Sequence, residues 1–177
     1  MIYYRYYSSP VGNLLMLAQH NQLTNLDFQL EQSQPNPKWQ ENTQLPVFIQ
    51  VQQRLDHYFA GEKVNFHDLP LAPQGTPFQQ QVWHVLKHIP YGKTISYAEI
   101  ANKIHNPKAI RAVGGAVGSN PISILIPCHR VLGKNGTLTG FGGGLPVKRQ
   151  LLALEQIDYI DKGVEFVKPK LLKKYYE

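Results

Sequence analysis

The only cysteine in a chain of 177 residues lies in Ile126-Pro127-Cys128-His129-Arg130-Val131. A thiol followed directly by an imidazole and a guanidinium sits in positive surroundings, which favour the thiolate, the nucleophilic form. Without such help a free cysteine, with a pKa of roughly 8.5, is only a few per cent thiolate near neutrality. A lone cysteine is more often a small buried hydrophobe. Proline before it and His-Arg after it are poor company for an inert core residue, so this one reads as reactive. On a strand, adjacent residues point to opposite faces, so His129 is expected to reach the sulfur only through a bridging water. That argues against a cysteine hydrolase, whose histidine must contact the sulfur.

Helices and turns must carry this box to a substrate. Thr76-Pro77-Phe78-Gln79 reads as a capping box with proline at the first helical position. Phe78, Val82, Val85, Leu86 and Ile89 then share one face, and Pro90-Tyr91-Gly92 stops the helix. Ser96 caps a short helix through Ile104 with Tyr97 in its first turn, and Asn106-Pro107 offers a second cap-and-proline start for a helix through about Ser119. Two short helices across a tight break resemble a helix-turn-helix. On the second of them Ile110, Val113 and Val117 fall on one face, and Ala112, Gly115 and Ser119 on the opposite one. Its interior glycines, Gly114, Gly115 and Gly118, each cost roughly 1 kcal/mol relative to alanine. They need a compensating role, either close packing against a neighbouring helix or close approach to a narrow outer surface such as a nucleic-acid minor groove. Arg111, at the edge of this smooth face, could reach a phosphate or enter a base stack.

Downstream, Ile122 to Ile126 is a β-prone run delivering Cys128. Arg130–Leu132 and Thr137–Thr139 read as short strands around a Gly133–Gly136 turn, and Gly140-Phe141-Gly142-Gly143-Gly144 as a pliable loop. That loop lacks the lysine-serine ending of a phosphate loop, so a small pocket is the better reading. A last helix opens at Pro146, and a basic end with Lys168, Lys170, Lys173 and Lys174 reads as solvated. Upstream, Ile2–Tyr7, Leu14–Ala18 and Leu23–Phe28 read as strands, with a hairpin turn at His20-Asn21-Gln22, and Pro46–Ala60 as an amphipathic helix ending at Gly61. A Pro/Gly-rich connector (Pro70, Pro73, Gly75, Pro77) sets a domain boundary near residue 74.

With 42% hydrophobic residues, the composition is that of a globular chain of one or two small domains. One cysteine excludes intramolecular disulfides and a thiolate-rich zinc cluster, so a cytoplasmic location is expected. The start, Met1 to Tyr7, has no apolar core of signal-peptide length, so no signal peptide is expected, and no apolar run approaches the roughly 20 residues a membrane helix needs. A net charge of +6 permits a polyanionic partner. His57, His84 and His88 read as surface or helix-face residues, and no metal site is expected.

Arg111-Ala-Val-Gly-Gly-Ala, Asn120-Pro121, Ile126-Pro-Cys-His-Arg-Val131, Gly142-Gly-Gly-Leu145, Lys148 and Leu151-Leu-Ala-Leu-Glu155 together resemble the O6-alkylguanine-DNA alkyltransferases. These are also called methylated-DNA–protein-cysteine methyltransferases. The likeness is dense over residues 74 to 156, looser before that, and strongest to the shorter microbial type, since the zinc ligands of animal members are missing. It implies an α+β fold: a small ribonuclease-H-like domain over residues 1–73, a helix-turn-helix/winged-helix-like domain over 74–157, and a basic tail over 158–177. It implies a DNA repair enzyme that moves a methyl or larger alkyl group from guanine O6, with thymine O4 as a second target, onto its own cysteine, once per molecule and without a cofactor. Cys128 would be the acceptor and His129 the base, oriented by Glu155. Tyr97 would donate toward the guanine, and Asn120 would brace the turn before the active site. Arg111 would fill the gap left by a flipped nucleotide, with Ala112, Gly115 and Ser119 against the minor groove of alkylated duplex DNA. Pro127, Phe141, Gly142, Gly143 and Lys148 would line the pocket, and a monomer is expected. The alternative is a protein that senses alkylated DNA without repairing it. Such relatives replace the acceptor cysteine, which is retained here.

Overall fold

The computed structural model describes residues 1–29 and 34–162, in two units. Residues 30–33 and the end of the chain from residue 163, with its four tail lysines, lie outside the described residues.

The first unit comprises Met1–Gln74 and Pro121–Ser123. Strands β1 (Tyr3–Ser9), β2 (Gly12–Gln19), β3 (Gln22–Phe28) and β4 (Gln40–Glu41) form a sheet in the order β3-β2-β1-β4, antiparallel except for the parallel β1–β4 pair. His20 and Asn21 turn β2 into β3 with φ of 54° and 57°, the double left-handed conformation of a two-residue hairpin loop. Asn21 also accepts the backbone N–H of Val47 at 3.2 Å, holding the start of helix α1 (Pro46–Phe59). Leu14, Met16, Leu23 and Leu26 of the sheet and Val47, Phe48, Val51, Leu55 and Tyr58 of α1 are fully buried. Pro121–Ser123 adds to β3: the Leu26 N–H donates to Pro121 O at 2.9 Å and the Ser123 N–H to Leu26 O at 3.0 Å.

The second unit comprises Gly75–Asn120 and the chain from Ile124 onward. Helix α2 (Pro77–Lys87) opens on a complete capping box: the Gln79 N–H donates to Thr76 Oγ1 at 3.1 Å and the Thr76 N–H to Gln79 Oε1 at 2.9 Å. Strand β5 (Ile95–Ser96) leads into α3 (Tyr97–Lys103), capped by Ser96. The chain then leaves α3 through His105 at φ 59°, with Asn106 N–H to Ala101 O and His105 N–H to Asn102 O. This 6→1, 5→2 pair is a Schellman ending.

That ending alters the next helix. Asn106 does not cap it; its carbonyl accepts the Ala109 N–H at 3.0 Å in a turn around Pro107-Lys108, and α4 runs over Ile110–Gly118. Ile110, expected on the inward face, is 45% exposed because it stands at the new first position of the helix. Val113, Gly114, Ala116 and Val117 are buried. Trp83 of α2 donates to Ala116 O at 2.8 Å and Gln79 donates to Ser119 Oγ at 3.1 Å, tying α2 to α4.

Two strand expectations fail. Ile122–Ile126 is not a strand; Ile124 has φ 70°, and the run bends while its four apolar side chains, Ile122, Ile124, Leu125 and Ile126, stay buried. Val131–Leu132 (β6) pairs in parallel with β5 rather than with Thr137–Thr139. Burial decides the choice, since Ile95, Val131 and Leu132 are all buried along this ladder. The Gly133–Gly136 turn does form, with Gly133 N–H to Thr137 O at 2.7 Å, but Thr137 bridges to Ile160. Helix α5 (Leu145–Leu154) closes the unit. Ile157 joins a cluster with Leu132, Leu138, Leu145 and Leu152, so the chain stays packed well beyond the end of α5.

Candidate active site

The Cys-His-Arg box is a single turn of 3-10 helix, Cys128–Arg130, not a strand. The Cys128 N–H donates to Ile126 O at 2.7 Å and the Arg130 N–H to Pro127 O at 3.0 Å. With three residues per turn, successive side chains splay by roughly 120°. Alternation across a strand therefore does not separate Cys128 from His129; the tight turn does. Asn120 braces this turn from the end of α4, donating from Nδ2 to Ile126 O at 2.7 Å in a buried bond.

Cys128 is 7% exposed, and burial pushes its thiol above the ordinary range. A hydrogen bond with Asn120, the charge of Lys148, and the backbone N–H groups of Cys128 and His129 pull the other way without overcoming it. The expectation that Arg130 supplies the positive field at the sulfur is corrected. Its guanidinium is taken up by Glu155 and Ile89 O, and Lys148 is the cation that acts on the thiol. Lys148 is 1% exposed and donates from Nζ to Val131 O at 2.8 Å, to Thr139 O at 3.2 Å and to Thr139 Oγ1 at 3.2 Å. Three acceptors match the three donors of an ammonium. Burial still lowers its pKa to about 7, partly offset by Cys128.

His129 and Glu155 form the second half of the site. His129 Nε2 lies 2.5 Å from Glu155 Oε2, with both side chains fully buried. Arg130 donates from Nε to Glu155 Oε1 at 2.8 Å, from Nη2 to Glu155 Oε2 at 3.3 Å, and from Nη1 to Ile89 O at 2.7 Å. The Gly92 N–H donates to Glu155 Oε1 at 3.0 Å. Burial raises the Glu155 pKa, but His129, Arg130 and Gly92 together outweigh it and hold the carboxyl at about 2. Because Arg130 already balances that charge, burial keeps His129 neutral, below its ordinary pKa. A second Schellman ending positions the carboxylate. Gln156 sits at φ 58°, its N–H bonds Ala153 O, and the Ile157 N–H bonds Leu152 O, leaving Glu155 as the C-cap of α5.

Tyr97 Oη and Thr139 Oγ1 lie 2.9 Å apart, and Thr139 Oγ1 also accepts from Lys148. Tyr97, at the start of α3, is thus joined through one hydroxyl to the buried cation near the thiol.

The model of the 6-O-methylguanine DNA methyltransferase DNA binding domain matches residues 77–157, and that of the family's ribonuclease-like domain matches residues 2–73. The chain belongs to this family. A methylated-DNA–protein-cysteine methyltransferase of Haemophilus influenzae is 58% identical over 99% of this chain and 98% of its own length. The constitutive enzyme of that name in Bacillus subtilis is 42% identical over 92% of this chain and 100% of its own. Among solved structures, Mycobacterium tuberculosis OGT in complex with DNA has a TM-score of 0.78 and 46% identity, covering 87% of this chain and 93% of that one. The methyltransferase from Pyrococcus kodakaraensis KOD1, 18% identical, shares the fold with a TM-score of 0.64 over 89% of this chain and 100% of that one.

The other residues singled out in this methyltransferase fall in two places. Arg111, Ala112 and Ser119 are exposed on α4, and Gly115 is half-buried between them. The Ser119 hydroxyl accepts from Gln79 and donates to Ala116 O at 3.1 Å, so it finishes the helix as well as facing outward. Pro127 and Phe141 are buried, Gly143 is half-buried and Gly142 is exposed. The turn from Phe141 to Gly144, closed by Gly144 N–H to Phe141 O at 2.9 Å, delivers the loop to the start of α5 and Lys148. Sequence reading missed Thr139 and the part played by Arg130. Thr139 reads in the sequence only as the end of a short strand; the Arg130–Glu155 pair was legible, because a carboxylate at a helix C-terminus needs a cation.

Proposed function

We propose that this methyltransferase repairs DNA by moving a methyl or larger alkyl group from guanine O6 to the sulfur of Cys128, once per molecule. The observation that carries the reading is the buried Cys128 turn beside the His129–Glu155–Arg130 network, in a chain of this family. Duplex DNA lies with its minor groove on the smooth face of α4. The damaged nucleotide rotates out, because the target atom is not accessible to in-line attack inside the stack, and Arg111 fills the gap.

The thiol gives its proton through a water to His129 Nδ1, while the Nε2–H stays on Glu155, which stabilises the imidazolium as it forms. The thiolate attacks the alkyl carbon and a C–S bond forms. The C–O6 bond breaks, its electron pair stays on guanine, and guanine takes a proton from the Tyr97 hydroxyl. The proton gained by His129 balances the one lost by Tyr97, and both return through solvent. The products are a thioether and unmodified guanine. A thioether has no good leaving group, so the sulfur is spent. Lys148 and Asn120 favour the anion at the moment it forms. The chain works in the cytoplasm as a monomer.

Radiolabelled O6-methylguanine duplex supplied in excess tests this. Label should pass to protein up to one methyl per chain and then stop. Continued turnover, or no transfer to folded protein, would overturn the proposal.

A further inference from the structure

We propose that His84, in the last turn of α2, and His88, the C-cap residue that follows it, form a two-imidazole site for a borderline divalent ion of the Cu2+, Ni2+ and Zn2+ class. The two residues are four apart across the C-terminal end of α2, the spacing at which side chains on a helix stand one above the other and at which helical histidine pairs bind metal. Both are exposed. Their ring centres lie 4.6 Å apart. Two imidazoles bound at right angles to one ion, each at a metal–nitrogen distance of about 2.1 Å, would set their ring centres roughly 4.5 Å apart. The rings already stand at the separation that a shared ion with right-angle coordination, such as Cu2+ or Ni2+, requires.

The tautomer agrees. His88 Nδ1 lies 2.8 Å from the carbonyl oxygen of His84, which can only accept, so Nδ1 carries the proton and Nε2 the lone pair. A ligating histidine that donates its other ring N–H to a backbone carbonyl is the usual supporting arrangement in metal sites. Both residues border an open cavity of about 480 Å3, shared with Glu99 and Lys103, which leaves room for coordinated water. Among the described residues no group of three or more His, Cys, Asp and Glu side chains gathers around an ion. The protein therefore supplies two ligands and water the rest, a surface site of modest affinity whose preference follows the usual order, Cu2+ tightest. Neither histidine is used by the alkyl-transfer chemistry, and the inference stands apart from it.

Titration calorimetry with Cu2+, Ni2+ and Zn2+ on the full chain carrying Cys128→Ser, which removes the competing thiol, is the test. One ion should bind per chain, tightest for Cu2+. Affinity should fall at least about tenfold in either His84→Ala or His88→Ala, the least expected for loss of one ligand when second-shell changes alone cost that much. His57→Ala should leave it unchanged. Electron paramagnetic resonance of the Cu2+ form with both histidines present should show two equivalent nitrogen couplings, independently of how the variants fold. Absence of saturable one-to-one binding, or affinity retained in the His84→Ala/His88→Ala double variant, would overturn the site.

Discussion

Arg130 and Glu155 meet in a buried two-point ion pair, Nε to Oε1 at 2.8 Å and Nη2 to Oε2 at 3.3 Å, and Oε2 also faces His129 Nε2 at 2.5 Å. Each oxygen is thereby held, and His129 meets a carboxylate whose charge is already matched. The residue that looks on paper like the activator of the thiol instead holds Glu155, the residue we propose orients the base.

Arg130→Ala should be among the most damaging single changes in the chain. It leaves Glu155 as an unbalanced buried charge, at a cost of about 3–5 kcal/mol. Urea unfolding of the variant, followed by fluorescence, should show that loss. Arg130→Lys should recover only part of it, because one ammonium cannot span both oxygens.

Acid stability follows from Glu155. Its folded pKa is depressed to about 2 from 4.5, so the unfolded chain binds the extra proton between those values. The contribution is therefore complete above about pH 4.5 and is lost as pH falls through about 2, amounting to about 3 kcal/mol for this shift. His129, held below its ordinary pKa, acts in the same direction at somewhat higher pH. Denaturant midpoints measured from pH 6 downward should fall across this window. Glu155→Gln should flatten that dependence while being less stable at neutral pH, since Arg130 then lacks its partner.

The thiol of the free protein should be protonated near neutrality, because burial raises its pKa. Its rate with a small neutral alkylating reagent should keep rising above the pH at which an exposed cysteine levels off. Lys148→Met keeps an apolar stem but removes the cation. It should slow methyl transfer near neutrality at least about tenfold, as expected when a preorganised charge is lost from a buried reaction site. A profile unchanged from that of an exposed thiol would count against this account.

Arg111→Ala should separate opening of the duplex from chemistry. Transfer from an O6-methylguanine duplex should drop by more than about tenfold, because unstacking a base costs a few kcal/mol that the wedge offsets. Reaction with a free O6-benzylguanine base should change by less than about twofold, on the same reasoning. Equal losses on both substrates would remove the wedge role.

Local chemistry in the sequence predicts the elements that local chemistry builds. The Thr76–Gln79 capping box, the His20-Asn21 turn and the Ser96 cap all stand in the fold because each is settled within four residues. Elements settled by distant burial read differently. Val131–Leu132 chose Ile95–Ser96 over its sequence neighbour, and the run before Cys128 bends at Ile124 while its apolar side chains stay buried. Both helix endings that shape the site place His105 and Gln156 in the left-handed region, where glycine is the usual signal. Hence the late start of α4 and the exposure of Ile110 were hidden. The Cys-His-Arg box announced reactivity, but three successive side chains on a 3-10 turn serve different partners, and only the fold assigns Arg130 to Glu155 and Lys148 to the thiol.

The central claim is that the sulfur of Cys128 receives the alkyl group. Incubation with an O6-methylguanine duplex followed by mass analysis of the Cys128 peptide tests it most directly. The account predicts one added methyl group on that sulfur and an equal amount of restored guanine in the DNA. Restored guanine with an unmodified Cys128 peptide, or methyl found on another residue, would contradict it.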